Sequence, residues 1–186
     1  DQFGNVSSST LCGNLAGKNN RPIKISSKGE LISKECEQET TTYEYSNDGL
    51  NLLLGEIDSN GIRTRYDYIE NSNILKAKRI FHEGVYKQRE FYFYDKNNAL
   101  VKKVSDDGGR EWMEDVTGVT ERKIILIKPR KDAPVGLPEE IEEIAVKFPE
   151  QEEILLKRIE NKYSDYGQLI KQKEIGRASC RERVSL

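Results

Sequence analysis

Few side chains here have the type and spacing that chemistry needs. The only histidine, His82, sits in the tetrapeptide FHEG, Phe81 to Gly84. A general base needs a partner within hydrogen-bond reach; beside a glycine, His82 reads as an exposed turn residue. Asp106 and Asp107 resemble the paired carboxylates of acid–base catalysis. They precede Gly108-Gly109 directly, and Asp-Gly chemistry is that of a turn. No G-x-S-x-G elbow and no D-x-D-x-D-G calcium loop occurs. Cys12 and Cys36 have no metal-ligand spacing; they could pair with each other or stay as thiols. The run KPRK, Lys128 to Lys131, could touch phosphate but reads as a solvated loop closing a strand. EEIEE, Glu139 to Glu143, reads as a charged outer face. Trp112 could stack on a sugar ring and reads as a packing residue near a turn. No catalytic, cofactor-binding or metal residue is assigned, and neither enzyme activity nor a cofactor is expected.

The composition narrows the partners. Hydrophobic residues make up 35% of the 186 and charged residues 33%, with a net charge of -2. The two signs are well mixed, so no clustered basic face marks a nucleic-acid partner. No run approaches the ~18 apolar residues of a membrane span; the longest, Ile124 to Ile127, is strand-sized. The chain begins at Asp1 rather than Met, so it is expected to be an internal piece, and the lack of a targeting segment says nothing of compartment. At the other end IGRASCRERV, Ile175 to Val184, matches the in-frame translation of a common short-read sequencing adapter. Residues 175–186 are therefore expected to be a read-through scar, Cys180 included, and are excluded from fold reasoning. Residues 1–174 form one segment.

What organises that segment is a repeat. In YDKNNAL, Tyr94 is followed by Asp95, Asn98 and Leu100. YSDYGQL places Tyr163, Gly167 and Leu169 at the same spacing, and ISSKGEL places Ile25, Gly29 and Leu31 there. YSNDGLNL has Tyr45 and Gly49, with Leu50 and Leu52 flanking the last slot; YIENSNIL has Tyr68, Ser72 and Ile74. DQFGNV opens the chain with Asp1, Gly4 and Val6, as if its tyrosine had been removed. A second turn falls between successive anchors, at DSNG (Asp58), FHEG (Phe81) and DDGG (Asp106). Periods of this size indicate repeat architecture.

The residue types explain the spacing. Gly, Asn and Asp tolerate the positive φ that tight hairpin turns demand. Asp48-Gly49, Asn60-Gly61 and Asp107-Gly108 are two-residue hairpin signals. Between turns, Ile62, Thr64, Tyr66 and Tyr68 alternate with Arg63, Arg65 and Asp67, the period of a half-buried strand. Tyr86, Tyr92 and Tyr94 share one face, with Phe91 and Phe93 opposite, as in a strand covered on both sides. One stretch conflicts. Ile141, Ile144, Ala145 and Phe148 have helical spacing, with Pro138 where a helix starts well. The competing reading is a hairpin of Glu140–Phe148 and Glu153–Tyr163 across PEQE. We favour the hairpin, which leads directly into the anchor at Tyr163.

The anchor tyrosine, an Asp or Ser, two variable residues, Gly and an apolar residue resemble the YD repeat of RHS proteins. The text around it, including TTTYEYSNDGLNLLLGE, DDGGREWMEDVTGVTERKI and GLPEE, is similar to the large RHS-repeat proteins of chlamydia-like bacteria, over nearly all of Asp1 to Glu174. The resemblance implies an all-β fold: an antiparallel meander of successive hairpins, a segment of a β-shell. It implies a non-catalytic wall that encloses a C-terminal toxin or effector, in a secreted or cell-surface protein whose partners are the rest of the shell and its cargo. Related YD-repeat shells act in cell adhesion, which leaves an alternative: a surface module binding a glycan or protein. The self-cleaving aspartate motif that ends bacterial shells is missing here, and so is a toxin domain. The direction of Tyr43, Tyr45, Tyr66, Tyr68, Tyr92 and Tyr94 separates the readings. Packed between strands they build a wall; lining a groove with Trp112 they bind.

Overall fold

The computed structural model describes residues 1–13, 25–30, 37–132 and 134–176, and the backbone of 180–184. Leu31, the last position of the repeat copy at Ile25, and Cys36, the possible partner of Cys12, lie outside the described residues. The chain divides into two units, Asp1–Arg65 and Tyr66–Leu186.

The first unit contains β1 (Ser8–Gly13), β2 (Glu37–Tyr45), β3 (Leu53–Ile57) and the start of β4 (Arg63–Tyr68). Each pairs antiparallel with the next, for example Thr10 with Thr40, Tyr43 with Glu56 and Glu56 with Thr64. The second unit contains β5 (Leu75–His82), β6 (Val85–Tyr94), β7 (Leu100–Asp106), β8 (Glu121–Pro129), β9 (Pro138–Lys147), β10 (Glu152–Tyr163), β11 (Leu169–Gly176) and β12 (Cys180–Val184). Again each strand from β5 to β12 pairs antiparallel with its successor. The described residues include no helix. The fold is thus all-β, a meander of successive hairpins, as its turn chemistry predicts.

One turn recurs. At Asp1, Ser26, Asp58, Asp95 and Ser164, the residue three positions on donates its N–H back to the carbonyl: Gly4, Gly29, Gly61, Asn98 and Gly167. All five of these donors have positive φ, between 61° and 82°. The Asp or Ser side-chain oxygen accepts the N–H of the residue four on: Asn5, Glu30, Ile62, Ala99 and Gln168. The short acceptor and the residue that tolerates left-handed backbone are therefore two halves of one hydrogen-bonded loop. The copy at Tyr68 differs: its positive φ falls on Asn71 rather than Ser72.

The anchor tyrosines have a structural task. At Tyr45, Tyr94 and Tyr163 the strand register shifts by a bulge. The bulge swings the ring toward a neighbouring strand end, where the hydroxyl donates to a main-chain carbonyl: Tyr45 to Val6 at 3.2 Å, Tyr94 to Leu75 at 2.9 Å and Tyr163 to Pro138 at 3.0 Å.

The stretch with helical spacing is β9, paired on both sides, with Ile144 between Ile124 and Leu155. Ile141 and Ala145 lie on one face, Ile144 and Val146 on the other. A strand apolar on both faces imitates the i, i+3, i+4 pattern.

None of the three two-residue hairpin signals closes a two-residue loop: Asp48-Gly49 lies in the connection 46–52 between β2 and β3, and Asn60-Gly61 in the connection 58–62 between β3 and β4. Asp107-Gly108 does not close a two-residue hairpin. The connection from β7 to β8 runs from Asp107 to Thr120 and folds over the sheet. The buried center of the unit lies under it: Ala77, Phe91 and Val104, with Met113 from the connection and Ile124 packed against them.

Candidate functional site

Opposed residues of paired strands share a face of the sheet. Two rows therefore run side by side across the second unit. One is apolar: Ala77, Phe91, Val104, Ile124 and Ile144. The other is charged: Arg79, Arg89, Asp106 and Arg122, ending at Val146. A charged row inside a sheet must be paired, since an isolated buried charge is very costly. Asp106 does the pairing. Its carboxylate meets Arg89 Nε at 2.7 Å and Arg122 Nη2 at 2.9 Å, and the Arg89 and Asp106 side chains have no exposed surface. Arg79 pairs with Asp67. The guanidinium groups of Arg79 and Arg89 also flank the Phe91 ring, at 5.7 and 5.6 Å from its centroid.

The remaining donors of the arginines hold the 107–120 connection. Arg89 Nη1 donates to the carbonyls of Arg110 and Trp112, both at 2.7 Å, and of Asp115 at 3.2 Å. Arg79 Nε donates to Glu111 O at 3.1 Å and Arg122 Nη2 to Met113 O at 2.7 Å. The segment turns successive carbonyls inward, so it forms a cap latched by arginine. Met113 packs against the apolar row, and Val119 is buried at 7% exposure, beside Gly108. Asp107 closes the far end by accepting from Thr120 N at 2.9 Å and from its hydroxyl. Burial raises the Asp107 pKa, but the Thr120 and Glu121 donors outweigh it and hold the carboxyl below the usual range.

Two expectations are corrected here. Asp106 is not a turn residue: it ends β7 inside the sheet, tied by two arginines that the sequence does not place beside it. Trp112 is not a packing residue: it is 62% exposed, while its neighbour Met113 faces the core. The cap can bury only one side chain of an adjacent pair pointing opposite ways, and it buries the methionine.

The opposite face carries a polar lattice around Tyr66 and Tyr92. Tyr92 donates its hydroxyl to Glu90 at 2.5 Å, and Lys103 pairs with Glu90 at 3.0 Å while lying 5.2 Å from the Tyr92 ring centroid. Lys78 lies 5.6 Å from the Tyr66 centroid. Burial raises the Glu90 pKa, but Tyr92 and Lys103 outweigh it and lower the value; burial and the Glu90 carboxylate both raise the Tyr92 phenol. These groups satisfy one another.

The other candidates fall apart in space. His82 ends β5, paired with Val85 across the turn. Of KPRK, Lys128 and Pro129 lie in β8, while Arg130 donates to Ser164 O at 2.9 Å. Glu140 and Glu142 meet Arg158, and Glu143 meets Lys123. Among the described residues no group of His, Cys, Asp and Glu is placed to hold a metal ion, and no helix is long and apolar enough to cross a membrane. Tyr43, Tyr45, Tyr66, Tyr68, Tyr92 and Tyr94 are each half-buried, whereas Trp112 is exposed. No family model matches the chain, and no curated protein matches it.

Proposed function

We propose that this chain is a non-catalytic wall segment of an RHS-type repeat shell, which encloses a C-terminal toxin or effector in a secreted or cell-surface protein. The observation that carries the reading is the recurrence of one turn at Asp1, Ser26, Asp58, Asp95 and Ser164, with anchor tyrosines at Tyr45, Tyr94 and Tyr163 bonded to adjacent main chain. Each strand then depends only on its neighbours, as repeat proteins require. The tyrosines act as mortar within the sheet, where cross-strand pairs contribute roughly 0.2–1 kcal/mol each.

The test is protection. The polypeptide that carries this segment should be expressed with its downstream region and treated with protease. The container reading expects the C-terminal region to stay intact until the repeat region is denatured. A C-terminal region cut as fast as when expressed alone would overturn it. Reading the gene past this segment gives a second check, since a toxin domain followed by a small immunity gene is expected.

A second reading, a surface module for a glycan or protein, is favoured by two exposed aromatics: Trp112 at 62% and Tyr166 at 90%. Loss of cell or glycan adhesion on Trp112→Ala, with unchanged thermal stability, would select it.

A further inference from the structure

The arginine row under the cap leaves one buried donor without an acceptor. Arg79 pairs with Asp67, and Arg89 and Arg122 share the carboxylate of Asp106. Asp115 adds a charge from the cap rim, where it is held chiefly by Thr117. All three arginines also donate to neutral main-chain carbonyls of the cap. One donor is met by nothing: Arg89 Nη2 is buried and has no hydrogen-bond partner. A buried donor left unsatisfied bears the whole desolvation cost of the group.

The cap is also built to come away. Its apolar anchoring rests on Met113 and Val119. Glycines stand at both ends, Gly108 and Gly109 before and Gly118, with φ 78°, after. What it offers the arginines are uncharged acceptors, and hydrogen bonds from a guanidinium to an ionised oxygen are roughly twice as strong. Arginine's planar fork suits two-oxygen anions in particular.

We propose that the row of Arg79, Arg89 and Arg122 is a latent oxyanion site and that the 107–120 connection is its lid. A carboxylate or phosphate takes the donors now held by the lid carbonyls, satisfies Arg89 Nη2, and the lid swings out on its glycines. This holds whether or not the sheet is part of a shell.

Trp112 is the only tryptophan and sits on the lid, so it reports the motion directly. The experiment titrates the complete chain with inorganic phosphate and, separately, with acetate, against sodium chloride at matched ionic strength. Trp112 anisotropy should fall saturably in an oxyanion and stay level in chloride. In hydrogen exchange, the amides of Gly109, Asp115 and Val119, which donate within the lid, should exchange about tenfold faster or more, the factor that about 1.4 kcal/mol of lost closure gives. A response to phosphate alone assigns the site to phosphate groups; a response to both assigns it to oxyanions generally, carboxylates included. The same response in chloride, or none in either anion, overturns the proposal. Arg89→Lys keeps the charge and loses the fork, so it should abolish the response. The titration of the unaltered chain decides the matter even if that variant does not fold.

Discussion

Gly108 makes the cap possible, and replacing it isolates that role. Its backbone lies outside the left-handed region, so Gly108→Ala should on backbone grounds stabilise the protein by about 0.4–1 kcal/mol through the unfolded chain. The structure predicts the reverse. A Cβ there would land on Arg89 Nη2, 2.5 Å from its Cζ and 2.8 Å from Val119 Cγ2. The guanidinium cannot step aside cheaply, because Nε and Nη1 are bonded to Asp106 and to the cap carbonyls. Either the cap lifts, exposing Val119 and losing its bonds to Arg89, or Arg89 moves and strains a charge-assisted bond. Net bond values of about 1 kcal/mol for neutral acceptors and about 1.5–3 for charged ones put the loss at about 2–4 kcal/mol. For a chain of this length that lowers the melting temperature by about 5–15 °C. Gly109→Ala is the control: its Cβ would meet only Thr117 O, at 4.0 Å, so it should be neutral or slightly stabilising. Scanning calorimetry of both variants decides it. A Gly108→Ala protein melting with or above the parent would refute the close packing of Gly108 on Arg89, and with it the latched cap.

Tyr94→Phe removes the bond to Leu75 O and should cost about 1 kcal/mol by urea unfolding, whereas Tyr166→Phe, at a 90% exposed ring, should cost nothing measurable. Asp95→Ala strips the acceptor of the Asn97 and Ala99 N–H groups and should destabilise by about 1 kcal/mol or more, with Asp95→Asn recovering part of it. Glu90 has a folded pKa below its ordinary value of 4.5, so it binds its proton less readily folded than unfolded. Its contribution is complete above that value and fades as pH falls through the lower folded one; Glu90→Gln should therefore flatten the acid limb of the stability–pH curve and leave its neutral-to-alkaline shape alone. Among the described residues β1 and β12 each pair on one side only, and unpaired edges invite association, so light scattering should show mass rising with concentration; a sharp, reversible melt from a monomer would contradict this.

The repeat was legible because turn chemistry is local. An Asp or Ser oxygen, two residues and a Gly or Asn carry their own hydrogen bonds, so the pattern marks the turn at Asp1, Ser26, Asp58, Asp95 and Ser164, while at Asp106, where Gly109 donates to Thr117 O instead, it does not. Strand alternation between turns is equally local, and it settled the hairpin at PEQE over a helix once the anchor at Tyr163 was taken as its end. The cap was not legible. Asp107-Gly108 has the text of a tight turn, and only the packing of Val119 and Met113 and the bonds of three arginines pull the chain into a long excursion instead. Arg79, Arg89 and Arg122 look like ordinary surface cations in a sequence whose charges are mixed; that they share a row with Asp106 depends on the register of four strands.

By itself, then, the sequence determined the meander: hairpin turns at Gly61, Asn98 and Gly167, and strands of alternating residues between them, because these are interactions within a few positions. Tertiary structure alone decided which charges are buried, which carbonyls they hold and that Trp112 faces outward, because cross-strand neighbours are set by register, and register is a property of the assembled sheet.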